Sequence, residues 1–189
     1  MVVIWFITYG IGGLLCFPLA DKIGRRRTAI IFATGHFLAM AMIILHSGIM
    51  VRFIGFGLMG FLHSTKSGVC YSWLFEFHTK KYKATAATTL NFLEFLTSML
   101  GGIYFLLISQ DWAPFILWVY FFNLAGFIIL LFCCPESPYW LLMQGKEKEA
   151  IEALNYIAWF NRSDRKIPEE TEFIEARLAK HLPNTDSYS

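Results

Sequence analysis

Apolar residues run along this chain in long blocks divided by short polar breaks. The first block fills positions 2–20 and ends in "DKIGRRR", where one acid, one glycine and four bases crowd together. Further blocks fill 28–46, 49–75, 84–108 and 113–134. A helix of about 20 mostly apolar residues crosses a bilayer core, so five transmembrane helices are predicted at these positions. The third block is long and carries polar residues, which leaves its limits soft. The first block has neither the basic start nor the small-residue cleavage site of a signal peptide, and a basic cluster follows it, so it reads as a span.

The breaks alternate in charge. Lys22, Arg25, Arg26 and Arg27 follow the first block, and His46 and Ser47 the second. His78, Lys80, Lys81 and Lys83 follow the third, Asp111 the fourth, and Lys146 and Lys148 the fifth. Basic loops stay on the cytoplasmic side of a membrane. This places 21–27, 77–83 and 135–189 inside, and 46–48, 109–112 and Met1 outside. The chain thus divides into a membrane part, 1–143, and a cytoplasmic tail, 144–189. In the tail, Ala150, Ile151, Leu154, Ile157 and Ala158 share one helical face. Pro168, Glu169 and Glu170 open a second helix with Ile174 and Leu178 on its apolar side, and the end reads as disordered. The "NRS" sequon at 161–163 falls on the inner side and is expected to stay bare.

Composition agrees with a membrane class. Hydrophobic residues make up 56% of the chain and charged ones 16%, against about a quarter charged in soluble domains. Residues 1–143 hold nine of the 16 bases and five of the 14 acids, and the tail holds the rest. The net charge of +2 therefore averages a basic membrane part and an acidic tail, and it carries no footprint of nucleic-acid binding. Cys16, Cys70, Cys133 and Cys134 lie in apolar runs without metal-site spacing and read as packing residues. No phosphate loop or nucleophile elbow is present. Enzymatic chemistry, a cofactor and a metal are not expected.

Positive-inside bias explains the bases of "DKIGRRR" but not Asp21 or Gly24. With Lys22, Arg25 and Arg26, these two residues resemble the loop after the second helix of the major facilitator superfamily. There the acid pairs with bases at helix ends and the glycine permits a tight turn. "PESPYWLL" at 135–142, with Glu136, resembles the segment after the sixth helix of sugar porters and organic-cation porters. Glu76 and Lys83 resemble the charged pair bracketing the loop between the fourth and fifth helices. The resemblance implies an all-α, multi-pass helical bundle: a partial major-facilitator half, from the second to the sixth helix, with cytoplasmic helices behind it. It also implies a cytoplasmic gate built on Asp21, Lys22, Gly24, Arg25, Arg26, Glu76, Lys83 and Glu136. The chain departs from the family pattern at Phe17, where a glycine is usual, at Lys83, where arginine is usual, and at Tyr139, also in place of arginine. Lysine does not reproduce a bidentate arginine–carboxylate pair.

Polar residues within the spans are the remaining candidates, because an ionisable group at membrane depth is costly and tends to be functional. Lys66 and Glu94 each lie ten residues inside the predicted cytoplasmic ends, about 15 Å deep at 1.5 Å per residue. Equal depth on consecutive helices predicts that they pair; the alternative is that each faces a separate watery cavity. Asn91 matches by count a polar, sugar-contacting position of sugar porters. His36 and His63 are also mid-span and read first as hydrogen-bonded packing residues.

Two functions follow from this pattern. One is a secondary transporter, or a piece of one, for a sugar or organic ion, working by alternating access with Glu94 as counter-ion or proton site. The alternative is a non-transporting structural or regulatory subunit derived from a porter half. Expected partners are the lipid bilayer, a small organic solute and another membrane polypeptide supplying further helices. The membrane is that of the cell surface or of an organelle, the mitochondrial inner membrane included in the subunit case.

Overall fold

The computed structural model describes residues 2–46, 48–163 and 167–168. The second tail helix expected from Pro168 onward lies almost wholly outside them. Every regular element among the described residues is a helix: α1 (Val2–Ile23), α2 (Arg25–Leu45), α3 (Ile49–Ser67), α4 (Val69–Glu76), α5 (Lys80–Leu107), α6 (Trp112–Cys133), α7 (Pro138–Met143) and α8 (Glu147–Phe160). Four of them, α1, α2, α5 and α6, are long and apolar enough to cross a membrane. The third expected span is α3 followed by α4. The Gly68 N–H donates to the Ser64 carbonyl at 3.0 Å, and the Gly68 carbonyl accepts from the Ser72 N–H at 3.1 Å, so helical bonding continues across the junction.

Among the described residues the chain forms two compact units, divided between Cys134 and Pro135. The "PESPYWLL" segment thus folds with the tail. In that second unit Ser137 caps α7 by accepting from the Trp140 N–H at 3.1 Å. Gly145, at φ 77°, turns the chain in the left-handed region that favours glycine. Trp140 and Leu141 then pack on Ala150 and Ala153 of α8. Asn155 exchanges two hydrogen bonds with the backbone of Ile167, at 3.0 and 2.8 Å.

In the first unit α1 and α3 share the most extensive contact. They run parallel and meet along two rows of small residues at four-residue spacing: Thr8, Gly12, Cys16 and Ala20 on α1, and Gly60, Ser64 and Gly68 along α3 and its junction with α4. Helices in lipid gain nothing from burying one apolar surface against another. They associate where small side chains let backbones approach. A Cβ on Gly12 would collide with the Phe61 carbonyl, and one on Gly60 with the Trp5 carbonyl. Cys16 is wholly buried in the seam, 3.2 Å from Ser64 Oγ and 3.0 Å from Thr65 Oγ1, which donates to its sulfur. Helix α2 covers this pair, with Phe32 packed in the same core. By contrast α5 buries only Gly101 and α6 buries no residue. Their apolar side chains, such as Leu106 and Phe132, face outward.

The seam generates a stability prediction. Gly60→Ala is expected to destabilise the protein in detergent by about 1–3 kcal/mol, the usual cost of overpacking. Gly10→Ala, where an added Cβ meets nothing within 4 Å, is expected to cost nothing. Thermal unfolding of the two variants beside the parent decides; equal losses would mean that α1 and α3 do not approach closely.

Candidate functional site

At the predicted inner end, the "DKIGRRR" turn is a single residue long. Gly24 stands between α1 and α2 at φ 107°, a conformation that a side chain would strain. Its carbonyl accepts from the wholly buried Thr28 hydroxyl at 2.7 Å. This tight turn aims Arg25 back across the bundle. Arg25 Nη1 pairs with Asp21 Oδ1 at 2.8 Å and donates to the Ala20 carbonyl at 3.2 Å, while Nε donates to Glu76 Oε1 at 3.3 Å. Arg25 and Glu76 are 14% and 16% exposed, whereas Asp21 is 69% exposed, so the link to Glu76 is the shielded one. Arg26 takes a different direction. Its Nη2 donates to the Leu131 carbonyl at 2.7 Å, satisfying a backbone acceptor in the last turn of α6.

Of the expected gate residues, the structure therefore brings Asp21, Arg25 and Glu76 together around Gly24 and sends Arg26 to α6. Lys22 and Lys83 are exposed. Glu136 belongs to the second unit, where its carboxylate accepts from the Ser137 N–H at 3.0 Å.

Deeper in the unit, polar side chains from several helices gather around His63. Its ring lies 5.5 Å from Trp5, 5.9 Å from His36 and 6.2 Å from Tyr9. The Tyr9 hydroxyl is hydrogen-bonded to Ser67 Oγ. Two cavities open beside this cluster. A small one of about 70 Å³, between α2, α3, α4 and α6, is lined by His36, His63, Lys66, Cys70 and Asn123. A larger one of about 370 Å³ is walled by α3, α4 and α5, with His63, Lys66, Ser67, Tyr71, Glu94 and Thr97 on its surface. That volume suits a compact organic ligand.

The expected Lys66–Glu94 ion pair does not form. Equal depth put both residues on one cavity, but depth along two helices does not fix their rotation about the helix axes. Glu94 Oε2 instead accepts from the Tyr71 hydroxyl at 3.1 Å. Lys66 has no ion-pair partner among the described residues. Asn91 lies on an exposed face of α5 and not on the lining of either cavity. Tyr9, Ser67 and Tyr71 are site residues that sequence reading missed. The available signal was spacing: His63, Ser67 and Tyr71 recur every fourth position and share one helical face.

Comparison with known proteins agrees with this architecture. The profile of the family described as "Sugar (and other) transporter" matches residues 1–187. Solute carrier family 22 member 16 of Xenopus laevis is 28% identical over 166 residues, covering 80% of this chain and 26% of the relative. A Bacillus subtilis protein, YncC, named for metabolite transport, is 26% identical over 187 residues, 94% of this chain and 39% of the relative. The facilitated trehalose transporter Tret1 of Culex quinquefasciatus is 25% identical over 153 residues, covering 78% of this chain and 28% of the relative. The chain thus spans between about a quarter and two fifths of the length of these relatives.

Arg25 is expected to be hard to replace. Lysine carries the charge but offers one ammonium where the guanidinium serves Asp21, Glu76 and the Ala20 carbonyl together. Arg25→Lys and Glu76→Gln should each cost about 1.5–3 kcal/mol, the range for hydrogen bonds to charged groups. Asp21→Asn should cost under about 1 kcal/mol, as exposed pairs do. Chemical unfolding in detergent checks the order; Asp21→Asn matching Glu76→Gln would contradict it.

Proposed function

The chain belongs to the sugar (and other) transporter family, and from that premise we propose that it forms part of the solute path of an alternating-access porter for a small organic solute. It is a multi-pass integral membrane protein. The observation that carries the reading is the α3–α5 cavity, where ionisable and hydroxyl side chains line one space within otherwise apolar helices. Polar groups at such depth are retained where they meet water, an ion or a solute. The cavity is walled on this chain by α3, α4 and α5, so enclosing a solute requires further helices facing it, from the same protein or from a second membrane polypeptide.

The Arg25 hub fits this role. By tying the α1–α2 turn to the end of α4, it makes the inner ends of these helices move as one body. Alternating access in such folds is a rocking of one bundle against another around a central site. Solute binding shifts the balance between inward-open and outward-open states by its difference in affinity for the two. Arg25 lies outside the cavity lining, so its contribution belongs to the rate of rocking rather than to solute affinity. A second reading, a non-transporting subunit on the same helices, is favoured by Phe17, whose ring lies over Gly68 and stays half exposed. A bulky ring there obstructs close approach of an opposing bundle.

Uptake of a radiolabelled panel of sugars, organic anions, amines and zwitterionic amino acids and betaines into cells expressing the protein tests this. Saturable uptake is expected for at least one solute. Arg25→Lys should lower its kcat about tenfold, a barrier change of about 1.4 kcal/mol, with KM little altered. Glu94→Gln should raise KM. Background uptake of the whole panel, with the protein shown to be in the membrane, would favour the non-transporting subunit.

A further inference from the structure

Lys66 and Glu94 are opposite charges lining one cavity, and they do not neutralise each other. Among the described residues Glu94 has one side-chain donor, the neutral Tyr71 hydroxyl. In a bilayer this arrangement is costly: an ammonium and a carboxylate held apart each lack the partner that would offset desolvation. A neutral solute would leave both charges uncompensated. A simple cation would satisfy Glu94 and be repelled by Lys66, and a simple anion would do the reverse. One class of ligand offsets both at once.

The geometry points to a zwitterionic solute of the amino-acid or betaine type, its carboxylate on the Lys66 ammonium and its cationic end on the Glu94 carboxylate. This rests on the porter reading above and names the solute class for the same cavity. The rest of the lining accords with it. Thr97 Oγ1 donates to the Leu93 carbonyl at 2.8 Å and Ser98 Oγ to the Glu94 carbonyl at 3.1 Å. Both hydroxyls spend their protons on the backbone and keep lone pairs for accepting from an ammonium. They stand on α5 one turn beyond Glu94 and line the same cavity. Tyr71 orients the Glu94 carboxylate while its other oxygen takes no hydrogen-bond donor among the described residues. Trp5 and Tyr9 stack on each other, and both rings lie close to His63, which lines the cavity together with Lys66.

Equilibrium binding to the purified full chain in detergent tests the inference without requiring translocation. The probes are radiolabelled alanine, glycine betaine and γ-aminobutyrate as zwitterions, with propionate, propylamine and glucose as controls bearing one feature or none. At least one zwitterion is expected to bind about tenfold or more tightly than every control, given the coupling energies of close charge pairs. Lys66→Met should weaken the zwitterion and propionate by a similar factor but not propylamine. Glu94→Gln should weaken the zwitterion and propylamine but not propionate. Size-exclusion profiles establish that the variants fold. If a single change does not, the exchange of Lys66→Glu with Glu94→Lys keeps one charge of each sign and should retain zwitterion preference. Glucose binding as tightly as the zwitterions in the parent and both variants would overturn the zwitterion assignment and leave the porter reading standing. Absence of binding by every probe, with saturable uptake of another solute in cells, would also overturn it. Absence of both binding and uptake would sink the two readings together.

Discussion

The close approach of α1 and α3 is the constraint on which the rest of the structure depends. Two helices in lipid have no hydrophobic drive to pack, so contact requires that backbones come near enough for dispersion and hydrogen bonds to act. Gly12 and Gly60 permit that approach, and Cys16, Ser64 and Thr65 fill the seam below them with buried polar contacts. Because α3 is held in register with α1, its next face is fixed as well. That face carries His63, Ser67 and Tyr71 and becomes the wall of the larger cavity. Phe17 sits over Gly68 at the foot of the same seam, so a large ring on α1 is matched by an absent side chain on its neighbour.

From this seam the structure builds a body with distinct ends. At the predicted inner end a one-residue turn at Gly24 directs Arg25 onto Glu76 and Arg26 onto α6, so one short stretch of chain reaches two distant helix ends. At the opposite end Arg52 stacks over Trp112 at 5.1 Å and joins the start of α3 to the start of α6. Between these clasps α5 is lightly held, burying only Gly101, and it carries Glu94. The more buried wall of the cavity, α3, thus bears Lys66, and the less buried wall, α5, bears Glu94. A solute bridging the two charges would tie one wall to the other, which is a physical route from binding to a change in bundle position.

Much of this was legible in the sequence, for definite reasons. Long apolar blocks with basic breaks are a consequence of bilayer thickness and membrane sidedness, so the helical membrane class is written in composition and spacing. Asp21, Gly24 and Arg25 are also readable, because a tight turn between charged helix ends is a local feature within five positions. Arg26 is not. Its acceptor is the Leu131 carbonyl, 105 residues away, and nothing local to either residue announces the other. Lys66 and Glu94 show the boundary most clearly. Counting residues at 1.5 Å each gives depth, and depth places both on one cavity, but pairing depends on helix rotation set by the α1–α3 seam. Tyr71 therefore took the hydrogen bond to Glu94 that depth alone had assigned to Lys66. The small-residue rows Thr8, Gly12, Cys16, Ala20 and Gly60, Ser64, Gly68 would have given that rotation if read as an interface.

The solute-path reading requires the space between α3, α4 and α5 to hold water and not to be a lipid-facing groove. Its most direct test is the reaction of a membrane-impermeant cationic thiol reagent with single cysteines in a chain whose four native cysteines are replaced by alanine. Thr97→Cys, on the cavity wall, is compared with Phe95→Cys, at similar depth on α5, 71% exposed and outside that lining. If the space holds water, Thr97→Cys reacts at least about tenfold faster than Phe95→Cys, since the thiolate that reacts needs hydration. Equal, slow reaction at both positions would contradict it.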